Sequence, residues 1–292
     1  MKSRNGADLE RRLRLSAQAR RSGVADPELG AILSWVADRR GARQQSLGSA
    51  PPGTVLSNAA VGRASPGTVL SNTAVGPDIA LLSVARPPGF SFRAGQAVKV
   101  GLGTGPTRSY TIASAPGDAA LEFCIERIAS GRVSPLLTSL ASGARLELGA
   151  SPKGSLTFEP GAALHLMLAT ATGIAPFRSM LRELSSRRAS ARVLLIHGSS
   201  YADRLPYAEE LTALAAEQPA MLRYVTTISR PDEPRNQGWT SVTGRVDTLL
   251  AQYLGEVAGN VQAYACGNSG MIAAVSALCS ARGIPFKSEA FD

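Results

Sequence analysis

The chain has 292 residues, a net charge of +9 and 44% hydrophobic residues, enough for two ordinary domains with a substantial core. No apolar run approaches the roughly 20 residues that a membrane span needs. Three cysteines without a Cys-x-x-Cys pair argue against a disulfide framework and an internal four-cysteine iron–sulfur cluster, and two histidines leave little for a zinc site.

No apolar core of a secretory signal follows the early arginines, so a cytoplasmic protein with no membrane attachment is expected. Residues 1–45 carry ten Lys or Arg against five Asp or Glu, more than half of the net charge. Such a head suits nucleic acid, an acidic protein, or no partner at all. Asp26-Pro27-Glu28 reads as a helix start, and Ile32, Leu33, Trp35 and Val36 give one apolar face. The pattern predicts a short helix over 27–40 that either docks on the protein or belongs to a loosely attached tail.

Residues 46–77 hold a near-perfect repeat, PGTVLSNAAVG at 52–62 and PGTVLSNTAVG at 66–76. Two copies do not make a solenoid. They read as a duplicated strand, the second copy inside the fold and the first in a linker. Residues 1–65 are therefore expected to form a basic extension.

Short β-type runs follow at 79–84, 96–101, 108–113, 120–128 and 145–149, with a helix over 134–140. The pattern predicts an antiparallel β-barrel domain over 66–159. Beyond Pro160 the texture alternates: strands at 164–169, 193–197, 222–228 and 261–265, helices at 174–187, 206–217, 246–254 and 269–282. This predicts a doubly wound α/β domain with a parallel sheet over 160–292, whose ligands bind at the carboxyl ends of the strands.

Three segments carry chemistry. Arg108-Ser109-Tyr110-Thr111 offers a guanidinium fork for a phosphate, a ring face for a flat heterocycle and a hydroxyl for a ring nitrogen. In Gly131-Arg132-Val133-Ser134-Pro135, Ser134 reads as a helix N-cap with Pro135 behind it, and Gly131 permits close approach of a pyrophosphate. Thr170 to Phe177 leaves a buried strand and opens a helix, with Gly173 admitting backbone contact to a dinucleotide. A second strand end, Ala265-Cys266-Gly267-Asn268, runs straight into a helix beside the same crevice. The first, the second and this last strand end each have a plain structural alternative, and the third segment is the stronger signal because both of its flanks are right.

Taken together and in order, these segments resemble the ferredoxin–NADP reductase superfamily over roughly residues 66–292, most like its bacterial ferredoxin/flavodoxin members. Arg108 to Thr111 is similar to the family's Arg-x-Tyr-Ser/Thr strand, and Gly131 to Ser134 to its Gly-x-x-Ser helix start. Ala171 to Pro176 matches Gly-Thr-Gly-Ile-Ala-Pro, and Cys266-Gly267 matches Cys-Gly-x-x-x-Met, with Met271 one residue late. Ser288 to Asp292 is similar to the Glu-Ala-Phe ending of some bacterial members.

The resemblance implies FAD on the barrel and NADP on the α/β domain. Arg108 would neutralise FAD phosphate, Tyr110 would stack on the isoalloxazine and Thr111 would lie near N5. Ser109, Gly131, Val133 and Ser134 complete the flavin contacts. Thr172 and Gly173 would hold the NADP pyrophosphate, and Arg230 and Arg245 the 2′-phosphate. Cys266 and Gly267 would lie by the nicotinamide, Glu289 near the hydride path and Phe291 over the flavin.

Thr111, Cys266 and Glu289 are thus the catalytic candidates. The sequence departs from the pattern at Ala171, for the first loop glycine; at Thr111, for the commoner Ser; and at Ser200, for an Arg, with Arg204 nearby as a substitute. NAD use therefore stays open beside NADP. The expected activity is hydride transfer from NADPH to FAD and single electrons onward to ferredoxin or flavodoxin, an acidic redox protein. Alternatives are a reductase component feeding an oxygenase on another chain or free flavin, a non-catalytic flavin- or nucleotide-binding regulator, and, more weakly, a nucleic-acid-binding protein. His165, His197 and Glu210 read as bland.

Overall fold

The computed structural model describes residues 30–31, 34–36, 64–254 and 259–291. The first repeat copy and most of the extension expected at 1–65 lie outside the described residues. The second copy forms β1 (Ser65–Val75). It pairs with β2 (Ile79–Ala85) along 69–75 and with β6 (Arg145–Leu148) along 65–68. A register shift between Val69 and Ser71 bends it from one partner to the other.

With β3 (Ala97–Gly101), β4 (Thr107–Thr111) and β5 (Ala120–Glu126), these strands form a six-stranded antiparallel sheet in the order β4-β3-β6-β1-β2-β5. An Ile112–Phe123 bridge brings the end of β4 beside β5 and closes the barrel. Alternate residues fill it, among them Val69, Leu82, Val84, Val98, Ile112, Phe123 and Leu148. A single turn of helix, α1 (Ser134–Leu137), plugs one end with Leu137.

The second unit is a five-stranded parallel sheet in the order β11-β10-β7-β8-β9. Its strands are β7 (Leu164–Thr170), β8 (Val193–Ser199), β9 (Leu222–Ile228), β10 (Val261–Gly267) and β11 (Phe286–Ala290). β10 is buried throughout, and β7 and β8 are buried up to their last residue, as expected for strands covered on both faces.

Helices α2 (Ala175–Ser186) and α3 (Ala208–Glu217) lie on one face, with Phe177, Met180, Leu181 and Leu211 in its core. Helices α4 (Val246–Tyr253) and α5 (Ser269–Ser280) cover the other through Leu250, Tyr253, Val275 and Leu278. The chain proceeds outward from β7 through β8 to β9, then returns to the far side of β7 as β10. The switch point therefore lies between the carboxyl ends of β7 and β10.

The two sheets share a core. Ile79, Ala94, Ala113, Cys124 and Leu156 of the first unit pack with the α2 face of the second. Arg178 of α2 is buried in this seam. It donates to the Ala113 carbonyl at 3.0 Å, pairs with Glu122 at 3.3 Å and Glu210 at 2.8 Å, and lies 4.2 Å over the Tyr207 ring. Arg182 adds Asp118 at 3.1 Å and Glu210 at 3.0 Å. Glu210, read from sequence as a solvated helix residue, is in fact the carboxylate shared by both arginines.

Of the helix expected over 27–40, the described residues 30–31 and 34–36 are helical. Trp35 donates its indole N–H to the Pro219 carbonyl at 3.1 Å, with the Arg192 guanidinium 4.6 Å from its ring. This turn docks at the amino ends of β8 and β9, opposite the switch point. No helix of the described residues is long and apolar enough to cross a membrane.

Candidate functional site: a switch-point cleft beside the barrel

A cleft of about 430 Å³ opens at the carboxyl ends of the parallel strands. It is lined by the turn after β7 (Thr170, Ala171, Thr172), the end of β8 (Gly198, Ser199, Ser200), Ser229, Gly244, Arg245, Gly267, Asn268 and Phe291. Glu126 and Ile128 of the barrel form its other wall.

Two helices start at the switch point, and they differ. At α5, the Asn268 side chain accepts from the Gly270 and Met271 N–H groups at 3.0 and 3.3 Å, so that helix caps itself. At the 3-10 turn Ala171–Ile174 and at α2 behind it, no side chain caps the amino end. Donors without a side-chain cap at a helix start, with the positive end of its dipole, suit a phosphate.

The turn is held from behind. Asn268 N–H donates to Thr170 Oγ1 at 2.9 Å, tying β10 to β7. Gly173 is buried, and a Cβ there would come within 2.2 Å of the Cys266 carbonyl oxygen. Its missing side chain thus serves close packing on β10, while Ala171 and Thr172 of the same turn line the cleft.

The cationic groups expected for a 2′-phosphate lie on the β8–β9 side. Arg245 lines the cleft with its Nε 3.2 Å from Asp247. Arg230 stands just beyond Ser229, donating to Tyr201 Oη at 2.9 Å. Arg204 lines the same cleft. It pairs with Asp78 at 3.0 Å and with Glu126, bridging the two units.

On the barrel, β4 presents Arg108 and Ser109 to solvent and half-buries Tyr110. Burial raises the Tyr110 hydroxyl pKa, opposed by the Arg108 charge. Thr111 is buried, and its Oγ1 has no hydrogen-bond partner. A buried hydroxyl left unpaired is costly, so this atom marks a place where a ligand acceptor or donor fits.

Ser134 is not an N-cap. Val133 holds that position without a side-chain cap and buries its own side chain in the barrel core. Ser134 Oγ instead accepts the Ile128 N–H at 3.0 Å, and Gly131 N–H donates to the Ile128 carbonyl at 2.8 Å. The 128–134 loop is thereby fixed with Ile128 in the cleft wall. Ser134 Oγ, an acceptor in that bond, keeps its own O–H as a donor.

Cys266 and Glu289 are register partners on β10 and β11. The thiol is fully buried, and desolvation together with the Glu289 charge pushes its pKa well up. A raised pKa keeps the thiol in its neutral form. Burial also raises Glu289. Phe291 follows, its backbone N–H donating to the Gly267 carbonyl at 3.0 Å and its ring partly exposed at the cleft edge.

Two contributors escaped the sequence reading. His197 is buried between Tyr224 and the Ala171 carbonyl. β11 gave no strand signal, because an edge strand of five residues needs no apolar run.

Among known proteins, an oxidoreductase NAD-binding domain model matches residues 167–277. The chain is 33% identical over 224 residues to ferredoxin–NADP reductase B of Sorangium cellulosum, covering 72% of this chain and 89% of that one. It is 29% identical over 212 residues to a terephthalate 1,2-dioxygenase reductase component of a Comamonas species, covering 71% and 61%. The ferredoxin NADP+ reductase of Neisseria gonorrhoeae, solved with bound FAD and NADP, superposes with a TM-score of 0.69 at 25% identity over 78% of this chain and 99% of that one. The chain belongs to the ferredoxin–NADP reductase family, a family of flavoprotein oxidoreductases.

Proposed function

We infer that this protein is an NADPH-dependent reductase that binds FAD on the barrel and NADP in the switch-point cleft, and delivers electrons singly to ferredoxin or flavodoxin. The observation that carries the reading is the Ala171–Ile174 turn. It is the helix start at the switch point without a side-chain cap, beside serine hydroxyls and Arg245. The unpaired Thr111 Oγ1 supports a flavin on the barrel side. Similarity to a reductase of named ferredoxin activity supports the acceptor class.

FAD, when bound, supplies the conversion of a two-electron hydride transfer into single-electron steps. The chain's own residues bind, orient and exclude water. Arg108 and the 128–134 backbone neutralise flavin phosphates. Tyr110 stacks on the ring system, and Thr111 hydrogen-bonds it. Thr172 and the uncapped turn take the NADP pyrophosphate, while Arg230 and Arg245 take the 2′-phosphate. Gly267 and buried Cys266 shape the nicotinamide pocket. Glu289 would border the hydride path, and Phe291 would cover the flavin. Proximity, not acid–base chemistry, is the main catalytic contribution.

A second reading, a reductase component serving an oxygenase, is favoured by the likeness to the Comamonas component. Anaerobic reduction with NADPH and NADH in parallel, followed by ferredoxin, flavodoxin and free flavin as acceptors, tests both readings. Rapid turnover with ferredoxin or flavodoxin supports the first, and failure with both overturns it. Arg230→Ala is expected to raise KM for NADPH more than for NADH; equal losses would remove it from the 2′-phosphate site.

A further inference from the structure

His197, at the end of β8, has 0% exposure and lies beneath the nucleotide turn. Its Nε2 is 2.9 Å from the Ala171 carbonyl oxygen, and its Nδ1 is 3.0 Å from Tyr224 Oη. A carbonyl only accepts, so Nε2 carries the proton and Nδ1 accepts from the tyrosine hydroxyl. Tyr224 on β9 pairs with Leu195, two residues before His197, so the two side chains share one face of the sheet.

The residue they hold is unusual. Ala171 has φ +46°, the left-handed region that glycine enters freely and alanine does not. Strain of this kind persists only where surrounding contacts over-determine it. The Ala171 carbonyl and the Thr172 N–H belong to one planar trans peptide and point in opposite directions. A carbonyl drawn inward to His197 aims the Thr172 N–H outward, and Thr172 lines the cleft.

We propose that Tyr224 and His197 form a buried relay that keeps Ala171 left-handed and so orients the Thr172 N–H toward the NADP pyrophosphate. His197 is a positioning residue: it touches no reacting atom. The relay compensates for an alanine where glycine would adopt the conformation unaided. The inference rests on the cleft being the NADP site.

The test is NADP+ binding to the purified full chain, beside adenosine 2′-phosphate, which lacks the pyrophosphate. His197→Leu is expected to weaken NADP+ about tenfold, the scale of one lost hydrogen bond, and leave adenosine 2′-phosphate unchanged. His197→Gln, which keeps a donor near the Nε2 position, is expected to recover most of that loss. Adding Ala171→Gly to His197→Leu is expected to recover it as well.

Unchanged NADP+ affinity in His197→Leu overturns the relay, as does an equal loss for adenosine 2′-phosphate or no recovery with Ala171→Gly. If His197→Leu does not fold, Tyr224→Phe removes one hydroxyl only and is expected to weaken NADP+ about threefold; no change there overturns the proposal. A wild-type chain that binds no NADP+ would instead overturn the reading of the cleft, and the relay's role with it.

Discussion

Gly267 lies against Thr170 so closely that a Cβ added to it would sit 2.0 Å from Thr170 Oγ1. That same oxygen accepts the Asn268 N–H, so the carboxyl ends of β7 and β10 are locked at the switch point. Gly267 also has φ +131°, which side-chain-bearing residues rarely adopt. Gly267→Ala is therefore expected to destabilise the protein by about 3 kcal/mol, combining backbone strain with overpacking. Urea denaturation of the variant measures this; a midpoint equal to the wild type would contradict it.

Ala171→Gly is the opposite case. Relief of the left-handed alanine is worth about 1–2 kcal/mol, offset by about 0.5–1 kcal/mol of glycine chain entropy. A net gain of about 0.5–1 kcal/mol in unfolding free energy is expected, and a loss of stability would show that Ala171 is not strained.

Acid lability is expected from two buried histidines. The His165 ring lies 4.3 Å from that of Phe158, tilted by 36°, its Nδ1 buried and unpaired, and burial holds its pKa down at about 4. His197 is likewise held at about 4. Because both folded values lie below the unfolded value of about 6.5, the unfolded chain takes up protons first as pH falls. Stability is full above about pH 6.5 and declines toward about pH 4, by on the order of 3 kcal/mol per histidine. Glu289 opposes this, since its raised pKa favours the folded state at low pH. Denaturation midpoints at about pH 7 and about pH 5 check the sign: stability that rises toward pH 5 contradicts the assignment.

Arg178 holds the two units together. Its removal leaves Glu122 at the seam without this cation and Glu210 with Arg182 alone. Arg178→Ala is expected to cost about 3–5 kcal/mol. Flavin retention on gel filtration should fall in parallel, because Ala113, two residues beyond Thr111, loses the contact that fixes it to α2. Retained stability with retained flavin would show that the apolar seam suffices.

The elements that build the fold were legible because their signals are local. The β9 run Leu222–Ile228 has the bounds its sequence pattern indicates, and β7, β8 and β10 announce themselves as continuous apolar runs between polar turns. The site was legible only in part. The turn after β7 is visible as a glycine-bearing strand end, but Gly173 serves packing that depends on β10, nearly a hundred residues away in the sequence. Ser134 looks like a cap because the Ser-Pro pair favours one; the partner that claims its hydroxyl, Ile128 N–H, is set by the loop's closure. His197, Glu210 and Arg178 act through contacts between distant elements, which leave no periodicity to read.

Anaerobic visible spectroscopy of the purified protein tests the central geometry most directly: a flavin edge on the barrel meeting a nicotinamide at the switch point. The expected result is a bound flavin absorbing near about 450 nm, released as FAD on denaturation and bleached on mixing with NADPH. A colourless protein that takes up no added FAD, or a bound flavin that NADPH leaves oxidised, would contradict it.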